Sequence, residues 1–379
     1  MPADEAWKLV PKSRRVVVKI GSSTLTRNGQ LRPDKFSALA RDVARLIEGG
    51  RQVVVVSSGA IAVGAHRLGW LHAGESVREK QAAAAVGQIG LVELYQRRFS
   101  RLGLHVGQVL LTRAGLDDRE RFLNARHTML ELLRLGVVPI VNENDTIATE
   151  EIRFGDNDNL AATIVNAVDA DLLVILTDVD GLYERAPEDG EKRPPLIRTV
   201  EKITPAIRRA ASGAGTRFGS GGMITKLEAA TNAARSGAAT ILCNGRIGGV
   251  LERLMKGEQH GTLFQPGERL RSKKHWLAFT AKTRGRIVID EGAARALRDR
   301  GRSLLPAGIL RVEGDFEIGD SVACVDEAGL EIARGLVAYS AGDIGRLAGL
   351  ATKEIARVLG YSNGDEIIHR DELVLVRDS

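Results

Sequence analysis

Two cysteines in 379 residues, Cys243 and Cys324, are too few and too far apart for a disulfide framework, and neither has a histidine at zinc-ligand spacing. Both read as small core residues. Aromatic side chains make up 4% of the chain, which leaves little for bases to stack on and argues against a strong nucleic-acid surface. No apolar run approaches the ~18 residues of a membrane-spanning helix, and Met1 to Trp7 is acidic where an export signal would be basic and then apolar. The expectation is a cytoplasmic protein with no membrane attachment. Also absent are a G-x-S-x-G elbow and a G-x-x-x-x-G-K-[ST] P-loop, and the histidines show no metal or triad spacing. Asp156-Asn157-Asp158 begins like a calcium loop, but Leu160 stands at the third ligand position. His369-Arg370-Asp371 copies three residues of the protein-kinase catalytic loop without the downstream Asn.

What is present suits a globular protein of two or three domains, with 44% hydrophobic residues to build a core. The net charge of +6 lies in the first 270 residues, because residues 271–379 hold 17 basic and 17 acidic groups. Within that tail the basic groups crowd into residues 271–302, as a polar helix face or a phosphate-facing one would have them.

Short β-branched runs alternate with helical periods. Arg15 to Ile20 and Gln52 to Val56 read as strands buried on both faces, and Phe36, Leu39, Ala40, Val43, Leu46 and Ile47 recur between them at helical spacing. A helix at about Glu75 to Leu102 follows, then a strand at His105 to Leu111, a helix near Asp118 to Leu135 and a strand at Val137 to Val141. A helix from Asn159, a strand at Asp171 to Leu176, and helix, strand and helix between Met223 and Met255 complete the series. The fold class is α/β, a doubly wound, mainly parallel sheet sandwiched by helices. After about residue 270 short alternating runs separated by glycine predict a small, mostly β domain. The expected boundaries are 1–270 for the first domain, 271–283 for a linker, 284–362 for the second domain and 363–379 for a C-terminal strand or tail.

In such a sheet ligands bind beyond the carboxyl ends of the strands. There the chain places Lys19 with Gly21, then Ser57-Ser58-Gly59, then Asn142-Glu143-Asn144-Asp145 with Asp156-Asn157-Asp158-Asn159, then Thr177-Asp178. The glycine-rich stretch from Gly213 ends in Ser220-Gly221-Gly222-Met223-Ile224-Thr225-Lys226, which opens a helix and carries a lysine into its first turn. Backbone N–H groups, a helix N-terminus and a lysine are what a polyphosphate needs. A charge such as Lys19 inside a buried strand is costly unless it meets an anion in a cleft. So many carboxylates and carboxamides on one connection would resist burial without a ligand to orient, and they suit a substrate carrying an ammonium group.

These stretches, together with His105-Val106-Gly107-Gln108, Asp118 to Arg126 and Gly181-Leu182-Tyr183, resemble the amino acid kinase superfamily, and within it the branch whose acceptor is the side-chain carboxylate of L-glutamate. Val288 to Gly292, Gly301 to Pro306 and Ala333 to Leu336 resemble a PUA domain. The resemblance implies an amino acid kinase fold followed by a PUA domain, and a cytoplasmic kinase of proline biosynthesis. It implies Lys19, Asp158 and Lys226 as catalytic residues, and Ser58, Asn142, Asp145, Asp156 and Asn157 as glutamate-binding ones. The nucleotide falls to Lys19, Gly21, Thr177, Asp178 and Ser220 to Lys226. ATP is the co-substrate, Mg²⁺ arrives on it, proline is the expected inhibitor, and a homo-oligomer (dimer or tetramer) is expected. RNA binding by the tail is not expected, given its charge balance and few aromatics.

Overall fold

The computed structural model describes residues 2–27, 30–72, 74–147, 157–185, 187, 193–212, 222–267 and 283–376. The chain divides into two compact units, Met1–Leu116 with Glu120–Arg269, and Asp117–Arg119 with Leu270–Ser379.

The first unit is built on β1 (Arg15–Ile20), a small hairpin of β2 (Thr26–Arg27) and β3 (Gln30–Leu31), β4 (Gln52–Ser57), β5 (Val106–Leu111), β6 (Val138–Glu143), β7 (Leu172–Thr177), β8 (Thr199–Val200), β9 (Ala239–Asn244) and β10 (Thr262–Phe264). Apart from the hairpin these form one sheet in the order β5-β6-β4-β1-β7-β9-β10-β8. From β5 to β9 all neighbours are parallel. Only three residues long, β10 runs antiparallel to β9, which the sequence pattern did not suggest. The helices are α1 (Ala3–Trp7), α2 (Ser22–Leu25), α3 (Pro33–Glu48), α4 (Ala60–Arg67), α5 (Val77–Ser100), α6 (Arg113–Asp117), α7 (Arg119–Arg134), α8 (Asn157–Ala167), α9 (Pro205–Ser212), α10 (Met223–Arg235) and α11 (Val250–Met255). None among the described residues is long and apolar enough to cross a membrane.

Side chains alternate between faces along a strand. Val16, Val18 and Ile20 share an apolar cluster with Phe36, Leu39 and Val43 of α3, Tyr95 of α5 and Leu251 of α11. Val17 and Lys19 therefore point to the opposite face, where α8 packs on β1 and β7 and α10 packs on α8. The expected α/β sandwich is thus present, and its period-2 pattern sends one lysine of a buried strand towards α8.

One helix start departs from expectation. Instead of beginning at Asn159, α8 begins at Asn157, which brings Asn157 and Asp158 into its first turn; a carboxylate there is favoured by the helix dipole. The short helix α4 has as its N-cap Gly59 at φ +113°, a conformation only glycine adopts without strain.

In the second unit β11 (Gly285–Ile289), β12 (Ile309–Gly314), β13 (Ser321–Val325), β14 (Glu331–Leu336) and β15 (Leu373–Leu375) form a sheet in the order β12-β11-β13-β14-β15. The helix α12 (Glu291–Arg300) starts where the Asp290 carboxylate accepts from the Ala293 N–H and ends at Gly301, φ +56°. With α13 (Ala341–Leu347) and α14 (Ile355–Leu359) it covers a core that includes Ile287, Leu297, Cys324, Tyr339 and Ile344. Cys243 and Cys324 are both fully buried, as small core residues would be. Most of the expected linker lies outside the described residues.

Candidate active site

The centre of the site is one carboxylate held between two ammonium groups. Lys19 reaches from near the carboxyl end of β1 so that its Nζ lies 2.6 Å from Asp158 Oδ1, and Lys226 Nζ lies 3.1 Å from Asp158 Oδ2. All three side chains are more than nine-tenths buried. Thr225 Oγ1 donates to Asp158 Oδ2 at 2.9 Å, and Lys226 Nζ is also 3.4 Å from the Gly222 carbonyl. Local structure explains the convergence. Lys19 is flanked by β4 and β7 and can only rise off the sheet, Asp158 sits in the first turn of α8, and Lys226 in the first turn of α10.

Burial alone would push the Asp158 carboxyl up, but the Lys19 and Lys226 charges, with hydrogen bonds from Lys19 and Thr225, outweigh it and hold it at about 2. Burial pulls Lys226 below the ordinary lysine value, against the opposing pull of Asp158. Two buried cations share this one buried carboxylate in a place shielded from water, and the Asp178 charge also acts on Lys226. Two ammonium groups held this close together are costly for the fold alone and favourable for an incoming anion.

Beside the charged cluster lies a layer of amides and hydroxyls. Asn157 Nδ2 lies 3.0 Å from the Ser57 carbonyl, 2.8 Å from Ser58 Oγ and 3.0 Å from Asn142 Oδ1. Asn142 Nδ2 in turn donates to Gln88 Oε1 at 2.9 Å. Below, Ser57 Oγ and Tyr95 OH are 2.8 Å apart, and burial raises the Tyr95 hydroxyl above its ordinary value, so it stays neutral. Asp145 is half-buried in the turn after β6.

On the far side, Gly21 follows β1 and its N–H donates to the Leu176 carbonyl of β7. Thr177, buried, donates to Asp178 at 3.2 Å. Asp180 accepts from Asn244 at 2.8 Å and Tyr183 at 3.0 Å and also pairs with Arg193; hydrogen bonding from Asn244 above all holds its carboxyl low. Gly222 caps α10 in an extended conformation, ahead of Met223, Ile224, Thr225 and Lys226.

Of the residues singled out in the sequence, Lys19, Asp158, Thr225 and Lys226 come together in one cluster, and Ser58, Asn142 and Asn157 in another. Asn157 and Asp158 are adjacent in α8, so the two clusters share a wall. Asp156, Ser220 and Gly221 lie outside the described residues. Sequence reasoning missed Gln88, Tyr95 and the Asn244 contact to Asp180. Gln88 and Tyr95 sit inside a long helix whose small-residue run, Ala82 to Gly87, was the only local hint.

Two sequence profiles match the chain: the Amino acid kinase family over residues 14–244 and the PUA domain over residues 285–359. The chain is similar to Glutamate 5-kinase of Methylobacillus flagellatus, 51% identical over 97% of this chain and 99% of that one. It is likewise similar to Glutamate 5-kinase of Cupriavidus taiwanensis, 49% identical over 97% and 99%. Glutamate 5-kinase of Moorella thermoacetica is 48% identical over 99% of this chain and 100% of its own.

Proposed function

We propose that this chain, which belongs to the amino acid kinase family and stands among its glutamate 5-kinases, transfers the γ-phosphoryl group of ATP to the side-chain carboxylate of L-glutamate, forming L-glutamate 5-phosphate and ADP. The observation that carries this reading is the buried Lys19–Asp158–Lys226 cluster, in which two ammonium groups are held on one carboxylate. The acceptor carboxylate is ionised at neutral pH, so no general base is required. A carboxylate oxygen attacks γ-phosphorus, the bond to the β-bridging oxygen breaks, and ADP leaves with the electron pair; no proton moves. The obstacle is electrostatic, an anion approaching a polyanion. Lys19 and Lys226 meet that obstacle by neutralising the transferring group, and Asp158 holds both ammonium groups in place.

Glutamate is assigned to Ser58, Asn142, Asp145, Asp156 and Asn157, and the nucleotide to Lys19, Gly21, Thr177, Asp178 and the segment Ser220 to Lys226. Asp158 is already balanced by two ammonium groups. Among the described residues no cluster of carboxylates, histidines or cysteines could hold a metal, so a magnesium ion would be carried by the ATP phosphates and would supply neutralisation of their charge. The enzyme is then cytoplasmic, acts as a homo-oligomer at the first step of proline biosynthesis, and is inhibited by proline, whose α-carboxylate and cationic nitrogen match those of glutamate.

Presenting ATP with glutamate, aspartate, acetylglutamate, carbamate or UMP, and trapping acyl phosphate with hydroxylamine, tests the assignment. Glutamate is expected to be preferred and acetylglutamate poor, because the acidic residues around Asp145 favour a free ammonium over a neutral amide. Equal turnover of the two overturns the assignment. Millimolar proline in the same assay is expected to raise the apparent KM for glutamate.

The activity is assigned to residues 1–270, with 284–362 as the PUA domain. A chain ending near residue 280 is expected to retain glutamate-dependent phosphoryl transfer, since each residue assigned a role precedes Gln265. A folded but inactive truncation would mean that the tail completes the site or the oligomer.

A further inference from the structure

One element of the amide layer has no role in the proposed chemistry, namely Gln88, and the direction of the hydrogen bonds around it is fixed by a group that cannot be reversed. The Ser57 carbonyl only accepts, so the Asn157 carboxamide must turn Nδ2 towards it at 3.0 Å. That same Nδ2 then faces Asn142 Oδ1 at 3.0 Å, which forces Asn142 Nδ2 outward, and Gln88 Oε1 receives it at 2.9 Å. The row of amides ends in two buried polar atoms with no hydrogen-bond partner among the described residues, Asn157 Oδ1 at one end and Gln88 Nε2 at the other. A buried amide group left without a partner is disfavoured, and a native structure keeps one where it has a use.

The consequence falls on Ser58. Its Oγ lies 2.8 Å from Asn157 Nδ2, a group that cannot accept, so its own hydroxyl hydrogen remains to be donated elsewhere. The far end of the row is held just as firmly. Gln88 follows Gly87 in α5, and a Cβ on Gly87 would lie 1.8 Å from the Ala60 carbonyl, two residues beyond Ser58. Gln88 is thus fixed relative to the Ser58 turn by backbone contact, and its side chain has a defined place from which to orient Asn142.

We propose that Gln88 is a specificity-determining positioning residue. Through Asn142 and Asn157 it sets the polarity of the substrate pocket, so that Ser58 presents a hydroxyl donor to a carboxylate and Asn157 a carbonyl acceptor to an ammonium. It touches neither the nucleotide nor the transferring group. The inference rests on the reading of the site as a glutamate pocket and adds to it a residue that no contact with substrate would reveal.

The test is steady-state kinetics on the full-length chain with Gln88→Met, which keeps length and removes both polar atoms, alongside Asn142→Ala and the double variant; Gln88→Ala serves if methionine packs poorly. Gln88→Met is expected to raise the glutamate KM by about five- to tenfold, the scale of one lost hydrogen bond, with kcat and the ATP KM changed by less. In the double variant the effect should vanish, the glutamate KM being no worse than that of Asn142→Ala alone, because Gln88 acts only through Asn142. A purely structural role predicts that the two effects add. Additive effects, an unchanged glutamate KM, or equal damage to kcat overturns the inference while wild-type turnover of glutamate leaves the reading of function intact. A wild-type protein that does not phosphorylate glutamate overturns both.

Discussion

Replacing Lys226 by alanine is expected to lower kcat on the order of 10²–10³-fold while changing both KM values comparatively little, the scale and signature of losing a preorganised electrostatic contact made mainly in the transition state. The ammonium is placed by the first turn of α10 and by Asp158 at 3.1 Å, so its position is set before substrate arrives. Lys226→Arg is expected to be impaired too, since a planar guanidinium cannot put its charge where a compact ammonium sat. The pH profile gives a second readout. Burial lowers the Lys226 value below 10.5, and the working form is the charged one, so kcat/KM of the free enzyme should fall as pH rises through a midpoint below that of an ordinary lysine. For stability the sign is the reverse of a salt-bridged lysine. Keeping Lys226 charged disfavours folding at neutral pH, and that penalty is relieved as pH climbs from the lowered value towards the unfolded ~10.4. If Lys226→Ala raises only the KM for ATP and leaves kcat intact, the residue is a ground-state clamp and the transition-state role passes to Lys19.

Asp158→Asn is expected to be more damaging still, because it takes the negative charge from between ammonium groups 2.6 and 3.1 Å away. Removing one member of a buried ion cluster typically costs about 3–5 kcal/mol, most of it the penalty of the charge left behind. The variant should melt at a lower temperature and lose phosphoryl transfer at least as severely as Lys226→Ala. Mg-ATP should then raise the melting temperature of the variant by more than it raises that of the wild type, since the polyphosphate restores the missing negative charge to the folded state alone. Acid denaturation offers a control. With its carboxyl held at about 2, Asp158 contributes stability that is complete above the unfolded carboxylate value of ~3.9 and is lost as pH falls through about 2. That segment of the acid profile should be missing from the variant. Equal ATP stabilisation of both proteins would show that Asp158 is not the counter-charge described.

Much of this site could be read from residue types because it violates the rules of a core. Lys19 in the run Val16-Val17-Val18-Lys19-Ile20 and the polar crowd from Asn142 to Asp145 stand out against apolar surroundings, and the strand ends that carry them are set by periodicity. The helix start at Asn157 was not legible, since Asn157 and Asp158 look like loop residues until the dipole of α8 and the lysines opposite are in place. Gln88 obeys every local rule of an ordinary helix and gains meaning only from its neighbour 54 positions away. Three-residue β10 and the short helices α13 and α14 are too brief for any period to register; tertiary contact makes them.

The seam between α4 and α5 carries a consequence for how this protein can change over evolutionary or laboratory time. A Cβ placed on Gly64 would sit 1.7 Å from the Ala83 carbonyl, and one on Gly87 1.8 Å from that of Ala60. Backbone therefore rests directly on backbone beneath the Ser57–Ser58 turn, with no flexible side chain in between to absorb a shift. A pocket mounted this way cannot be widened by small increments through mutation of its supports; its outline is inherited as a block. New acceptor preferences are open to it only through exchange of the side chains that face the substrate.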